Sequence, residues 1–350
     1  MTKLGASGSS TIQDGGLRLA LPGDRMMEQD TLDFLSNCGL RVSRPSPRQY
    51  IGRLAALPAV TVLFQRSVDI PGELDDGAVD IAILGLERFL ESCDETGDST
   101  VVIPDLGYSH AQLVMAVPNS LNGVTTMKDL AQAAKESEKN GNPLRIATKY
   151  HRQVAQFLDK HNVPGYRLVH VTGGVEAAPQ MDTADIVSDL ASSGGTLREN
   201  NLKVLDDGVI VQSAACVVAN KRQLRENRLK LEATKTVLEL IEARLRAEGS
   251  YSIIANIQGE STEKVADLVM QSSDVAGMQG PTVSRVVSKS GETNWYSVSV
   301  VVPISRLTQG VDHLRAIGAS GVVVFPAQYV FGGECEAYRR LLAEMGDSPR

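Results

Sequence analysis

Sulfur and imidazole are sparse in this 350-residue chain. Its four cysteines (Cys38, Cys93, Cys216, Cys335) lie far apart with no CxxC pair, and its five histidines form no cluster. That spacing speaks against a zinc site or a disulfide framework. Aromatic residues are 4% of the chain, with Trp295 the only tryptophan, which leaves little for base-stacking platforms. No uninterrupted apolar run approaches the ~20 residues of a membrane-spanning helix. The first sixteen residues read as a disordered polar Gly/Ser tail rather than a signal sequence, so the expectation is a cytoplasmic protein with no membrane partner. A net charge of -7 argues against a nucleic-acid partner, whose backbone wants clustered Lys and Arg. Phosphates can still bind locally, because loop amides and a few cations suffice.

What is present is a repeating alternation of short apolar runs and helical stretches. Leu17 to Leu21 reads as a strand, Pro22 and Gly23 as a turn, and Met26 to Leu35 as a helix. The unit recurs through Val60 to Phe64, Asp69 to Gly77, and Val79 to Leu84, which ends at Gly85. This predicts an α/β fold whose ligands sit beyond the carboxyl ends of the strands. Residues 17–113 with 204–248 are expected to form a first lobe, and 114–203 a second. Asn220 to Glu248, free of Pro and Gly, predicts one long connector helix. Residues 249–350 then follow a βαββαβ order, with a hairpin turn at Ser290 to Glu292, the ferredoxin-like arrangement of a separate small domain.

The most informative stretch is TADIVSDLASSGGTLRENNL, Thr183 to Leu202. A strand carrying Asp185 and Asp189 leads into Ser192, Ser193, Gly194, Gly195 and Thr196. Three hydroxyls and two glycines give a loop whose amides can face one anion. Thr196 and Glu199 have the spacing of a capping box, which would start a helix there. The upstream carboxylates suit ribose hydroxyls or a magnesium-bound diphosphate. These parts describe a phosphoribosyl-binding loop; the same letters also suit a solvated Gly/Ser turn before a capped helix. A second stretch, TGGVEAAP, offers Gly174 for close backbone approach and Glu176 near a helix start, or else simply a turn. The loops holding Arg25 and Arg66 each place a cation at a strand end, where surface salt bridges are the commoner use.

Taken in order, LRLALPGDRMMEQDTLDFL, VTVLFQRSVDIP, GAVDIAILGLE, LRIATKY, GGVEAAP, TADIVSDLASSGGTLRENNL, YSIIANIQG, MQGPTVS and LRAIGASGVVV resemble the long form of ATP phosphoribosyltransferase, over nearly the whole chain. The resemblance implies a two-lobed catalytic body like a type II periplasmic binding protein, plus a ferredoxin-like C-terminal domain that binds histidine. It implies joining N1 of ATP to C1′ of phosphoribosyl diphosphate with release of diphosphate, a magnesium requirement, feedback inhibition by histidine, and assembly as dimers and hexamers. Carried residue by residue, Ser192 to Thr196 match the loop for the 5′-phosphate, with Asp185 and Asp189 as the preceding acids. Glu176, Asp189 and Arg25 take catalytic positions. Arg25, Arg66, Asp80, Gly85, Gly174 and Glu176 are expected to meet ATP, and Asn256, Thr282 and Ala319 the regulatory histidine.

One departure stands out. The family's first loop carries a Lys before its Arg, whereas here the loop reads Pro22, Gly23, Asp24, Arg25. A cation beside the diphosphate is missing and an anion is added, which Lys149 could offset. The leading expectation is a working transferase. The alternative is a ribose-phosphate or nucleotide-binding regulatory relative with reduced turnover.

Overall fold

This computed structural model describes residues 15–92, 97–171, 173–272, 280–287 and 294–346, excepting the side chains of Arg25 and Met26. Most of the expected N-terminal tail and the hairpin turn Ser290 to Glu292 lie outside the described residues, as does Cys93.

In chain order the first lobe begins with β1 (Leu17–Pro22), α1 (Arg25–Asn37), β2 (Val42–Ser43), β3 (Ile51–Leu54), β4 (Val60–Gln65), α2 (Ile70–Asp75), β5 (Ile81–Gly85), α3 (Leu86–Ser92) and β6 (Ser99–Ile103). The second holds β7 (Ala111–Pro118), α4 (Met127–Lys139), β8 (Leu144–Thr148), α5 (His151–Lys160), β9 (Tyr166–His170), β10 (Ile186–Ala191), α6 (Gly195–Glu199) and β11 (Leu202–Ser213). The chain then returns through β12 (Ala215–Asn220), α7 (Lys221–Glu226) and α8 (Arg228–Ala247). The remainder is β13 (Ser250–Gln258), α9 (Thr262–Met270), β14 (Thr282–Arg285), β15 (Trp295–Pro303), α10 (Leu307–Ala316), β16 (Ser320–Pro326) and α11 (Glu336–Glu344).

Lobe I is a seven-stranded sheet, β2-β3-β4-β1-β5-β12-β6, and lobe II a five-stranded one, β11-β7-β10-β8-β9. The neighbours β4, β1 and β5 are parallel, as are β10, β8 and β9. Such strands are covered on both faces and so read as continuous apolar runs; all five residues of β5 are buried. The chain crosses between lobes twice, between β6 and β7 and again at Ala214, which is the type II periplasmic-binding-protein-like arrangement expected. Its boundaries differ from the sequence reading: β11 pairs with β7 from Leu202 to Ser213, so residues 204–213 belong to lobe II. A divide at 203/204 had no physical basis, because a strand followed by an apolar strand shows no composition shift.

The connector is two helices, not one. Asn227 adopts extended backbone (φ -137°, ψ 104°) and its side chain accepts from the N–H groups of Leu229 and Lys230. Asn is a better cap than helix interior, and it competes successfully here. The capping box expected at Thr196 is also absent: α6 is a single turn entered from Gly194 with no side-chain cap. The box that does form joins Thr126 and Asp129 at the start of α4.

The chain divides into two compact units, one ending at Val237 and resuming at Ala337, the other running from Leu238 to Glu336. The second unit therefore begins within α8, and most of α11 belongs with the two lobes, not with the C-terminal ferredoxin-like domain where the sequence reading put it. Within the second unit the sheet order β14-β15-β13-β16, all neighbours antiparallel, is the ferredoxin-like one expected. Ile253, Ala255, Val298 and Val300 face its helices in one apolar cluster. No helix among the described residues is long and apolar enough to cross a membrane.

Candidate active site

The carboxyl ends of β8 and β10 bring the main group together. Asp189, on β10 opposite Val114 of β7, is the last charged residue before Ser192. Burial raises its pKa above the ordinary carboxylate range, with Glu176 adding to the rise while Lys149 and Arg88 oppose it. Asp189 thus feels three charged groups: Lys149 just beyond β8, Glu176 in a 3-10 turn, and Arg88 of lobe I. Gly174 introduces that turn at φ 61°, in open space, a conformation and clearance that suit glycine.

Ser192, Ser193 and Thr196 are exposed, and Gly194 takes φ 68°. The Ser193 carbonyl accepts from the Arg198 guanidinium (3.0 Å), which braces the loop from behind. The backbone N–H groups of Gly194 and Thr196 have no protein acceptor among the described residues. They are therefore available to an anion. A cavity of about 530 Å³ opens beside Ser192, bordered by Leu86, Asp105, Gln112, Gln212 and Ser213.

Lobe I meets this group through α3. Arg88 places its guanidinium 4.7 Å from the centroid of the Tyr150 ring in lobe II. Glu91 accepts from the N–H groups of Arg152 and Gln153 at the start of α5, and Gln153 donates to the Glu87 carbonyl. Glu87 itself is held by the Ser213 hydroxyl (2.5 Å). An added Cβ at Gly85 would collide with the Glu87 carboxylate.

The ATP phosphoribosyltransferase family profile matches residues 66–244 and the HisG C-terminal domain profile residues 247–329. The chain is 35% identical over 346 residues to "ATP phosphoribosyltransferase 1, chloroplastic" of Arabidopsis thaliana, covering 97% of this chain and 84% of that one. The chain belongs to the ATP phosphoribosyltransferase family. It is thereby a pentosyltransferase of the first step of histidine biosynthesis. A shorter relative from Mesorhizobium japonicum is 38% identical over 59% of this chain and 90% of its own. Among solved structures, the ATP phosphoribosyl transferase (HisG:HisZ) complex from Thermotoga maritima aligns with a TM-score of 0.50 at 25% identity, covering 65% of this chain and 98% of that one.

Two residues that the family resemblance placed in the site stand elsewhere. Asp185 precedes β10, about 20 Å of strand from the loop, and is held by Arg145 through its backbone N–H (2.7 Å) and guanidinium (2.8 Å). Asp80 precedes β5, at the end away from Gly85, and is fully buried between Arg18 (2.7 Å) and Lys230 (2.9 Å). Both sit at strand starts, where an acid closes an ion pair, not at the ligand-facing ends. Arg66 does lie at a strand end, but its guanidinium forks onto Asp69 (2.7 and 3.0 Å) in the same exposed loop. Gly85 lies at the ligand-facing end of β5 and makes room for Glu87. Arg25 opens α1 directly after the first loop. In that loop the Asp24 carboxylate accepts from the Ser67 N–H (2.9 Å), tying it to the loop after β4. Sequence reasoning missed Arg88, Glu91 and Tyr150, which meet only across the lobes.

In the second unit, Asn256 lies opposite Ser320, one residue from Ala319, which packs partly into the apolar cluster. Thr282 is on the edge strand β14, and pairing through Ser299 puts it in line with Ile254, on the face that Asn256 shares. Two strand spacings, about 10 Å, separate Thr282 from β13.

Proposed function

We propose that the Ser192–Thr196 loop grips the 5′-phosphate of phosphoribosyl diphosphate while Asp189 accepts from the ribose hydroxyls. The observation that carries this reading is that β10 holds the half-buried Asp189 carboxylate and runs, three residues later, into a loop with exposed hydroxyls and the open amides of Gly194 and Thr196. Glu176 lies across from Asp189, near where ribose and the attacking adenine would meet. N1 of ATP attacks through its own lone pair, so no general base is required; the C1′–oxygen bond breaks and diphosphate leaves with the electron pair. Catalysis then consists of bringing two anions together and stabilising the departing one.

Among the described residues no group of three or more His, Cys, Asp or Glu could hold a metal. Magnesium would be bound with the diphosphate near Asp189, where it would supply positive charge to the leaving group. The C-terminal sheet around Asn256 is proposed to bind histidine as feedback inhibitor and to shift a dimer–hexamer balance, which sedimentation velocity with and without histidine reads.

An absorbance assay of adduct formation at saturating ATP, phosphoribosyl diphosphate and magnesium tests the reading. Thr196→Ala should lose most of the rate with its fold intact, and a normal rate would remove the loop assignment. A second reading is favoured by Asp24, an anion fixed at the first loop: a relative with reduced turnover. Full nucleotide binding with zero turnover in the unaltered chain would select it.

A further inference from the structure

Arg88 is the charged side chain that joins the two lobes at the site with its polar edge unspent. Its guanidinium stacks on Tyr150 across the lobes, yet makes no hydrogen bond or ion pair among the described residues. Stacking occupies the face of the guanidinium and leaves the N–H donors on its edge for a planar bidentate acceptor. The neighbouring acids do not claim it. Glu87 is taken by Ser213, and Glu91 by the start of α5. Two cations at strand ends of lobe I, Arg44 and Arg66, are already paired, with Glu28 and Asp69. In lobe II, Lys149 likewise has no hydrogen bond or ion pair among the described residues. Two cations from opposite lobes, both acting electrostatically on Asp189, therefore have open donors.

The reacting sugar carries two anionic ends. The loop accounts for the 5′-phosphate and Asp189 for the hydroxyls between, which leaves the diphosphate at C1′ facing away from the loop, toward lobe I. We propose that Arg88 contacts that diphosphate, holding it in the ground state and stabilising the negative charge that accumulates as the C1′–oxygen bond breaks. Lys149 contributes from the other side as a point charge. This rests on the loop reading above, and it gives the chain a cation for the leaving group although its first loop carries Asp24.

The test is isothermal titration of the full chain with magnesium and inorganic diphosphate, and separately with ribose 5-phosphate. Arg88→Met keeps apolar bulk over Tyr150 but removes the donors. It should weaken diphosphate binding by ~10- to 100-fold, the range for a charge-assisted bidentate contact, and leave ribose 5-phosphate affinity unchanged. Arg88→Lys, which keeps the charge without the fork, should fall between. In turnover, Arg88→Met should lower kcat as well as raise KM for phosphoribosyl diphosphate, while KM for ATP holds. Unchanged diphosphate affinity in Arg88→Met would overturn the proposal. So would an equal loss of both ligands, which marks a lobe-packing role, or failure of the unaltered chain to bind diphosphate at all. Failure of the loop reading shows separately, as undiminished ribose 5-phosphate binding by Thr196→Ala.

Discussion

Replacing Asp80 by Ala should damage the fold and spare the chemistry. The carboxylate is fully buried and accepts from the Arg18 backbone N–H (2.8 Å), Arg18 Nε (3.2 Å), Arg18 Nη2 (2.7 Å) and Lys230 Nζ (2.9 Å). Lys230 is itself buried, and Arg18 is about one-quarter exposed. Removing one partner of a buried ion group leaves the others uncompensated, which costs about 3–5 kcal/mol. For a unit of this size each kcal/mol moves Tm by ~2–4 °C, so the loss should be roughly 6–20 °C. Lys230→Met leaves the Arg18–Asp80 pair intact and should cost less, about 1–3 kcal/mol. Far-UV circular dichroism or calorimetry is the right probe, because the only tryptophan, Trp295, reports on the other unit. At a temperature where Asp80→Ala is folded, titration should give ATP affinity equal to that of the unaltered chain. Wild-type stability with lost ATP binding would refute the reasoning and return Asp80 to the nucleotide site.

Asp189→Asn should abolish most turnover yet raise stability at neutral pH. Because burial raises the folded pKa of Asp189, the folded state holds its proton more tightly than the unfolded chain. Native stability therefore falls as pH rises through the window between the two values, and the full penalty remains above it. The gain from Asn should vanish below that window, and chemical denaturation at pH 7 and pH 3 compares the two. Asp185→Asn should leave ribose 5-phosphate affinity unchanged. Its cost is only about 0.5–1 kcal/mol because that pair with Arg145 is partly exposed, and a large loss of affinity would restore Asp185 to the site.

The strands and the glycine-rich loop were legible because each is local. Apolar runs mark β1, β4 and β5, and Ser192 to Thr196 is contiguous. The direction of side-chain charge was not. Asp80 and Asp185 look like site acids in one dimension, and only strand pairing shows that each closes an ion pair at the start of its strand. The break at Asn227 was hidden because its neighbours are strong helix formers and one capping side chain outweighs them. Arg88 was invisible for another reason: its partner, Tyr150, is more than sixty residues away in the other lobe, and no local pattern encodes that meeting.

The same geometry ties the site to the lobe interface. The phosphate loop belongs wholly to lobe II, and Arg88 wholly to lobe I, so the site is complete only at one separation of the lobes. That separation has its own polar lock: the Glu91 carboxylate takes two N–H groups at the start of α5, which otherwise have no intrahelical partner. An acid at a helix start also gains from the helix dipole, so the lock is strongest in the arrangement that sets Arg88 over Tyr150. Fixing the cation there before substrate arrives removes reorganisation from the reaction step, which is where preorganised electrostatics act. A cation on the first loop would also come from lobe I and would need the same fixed separation. Arg88 has the lock beside it, because α3 supplies both cation and latch within four residues.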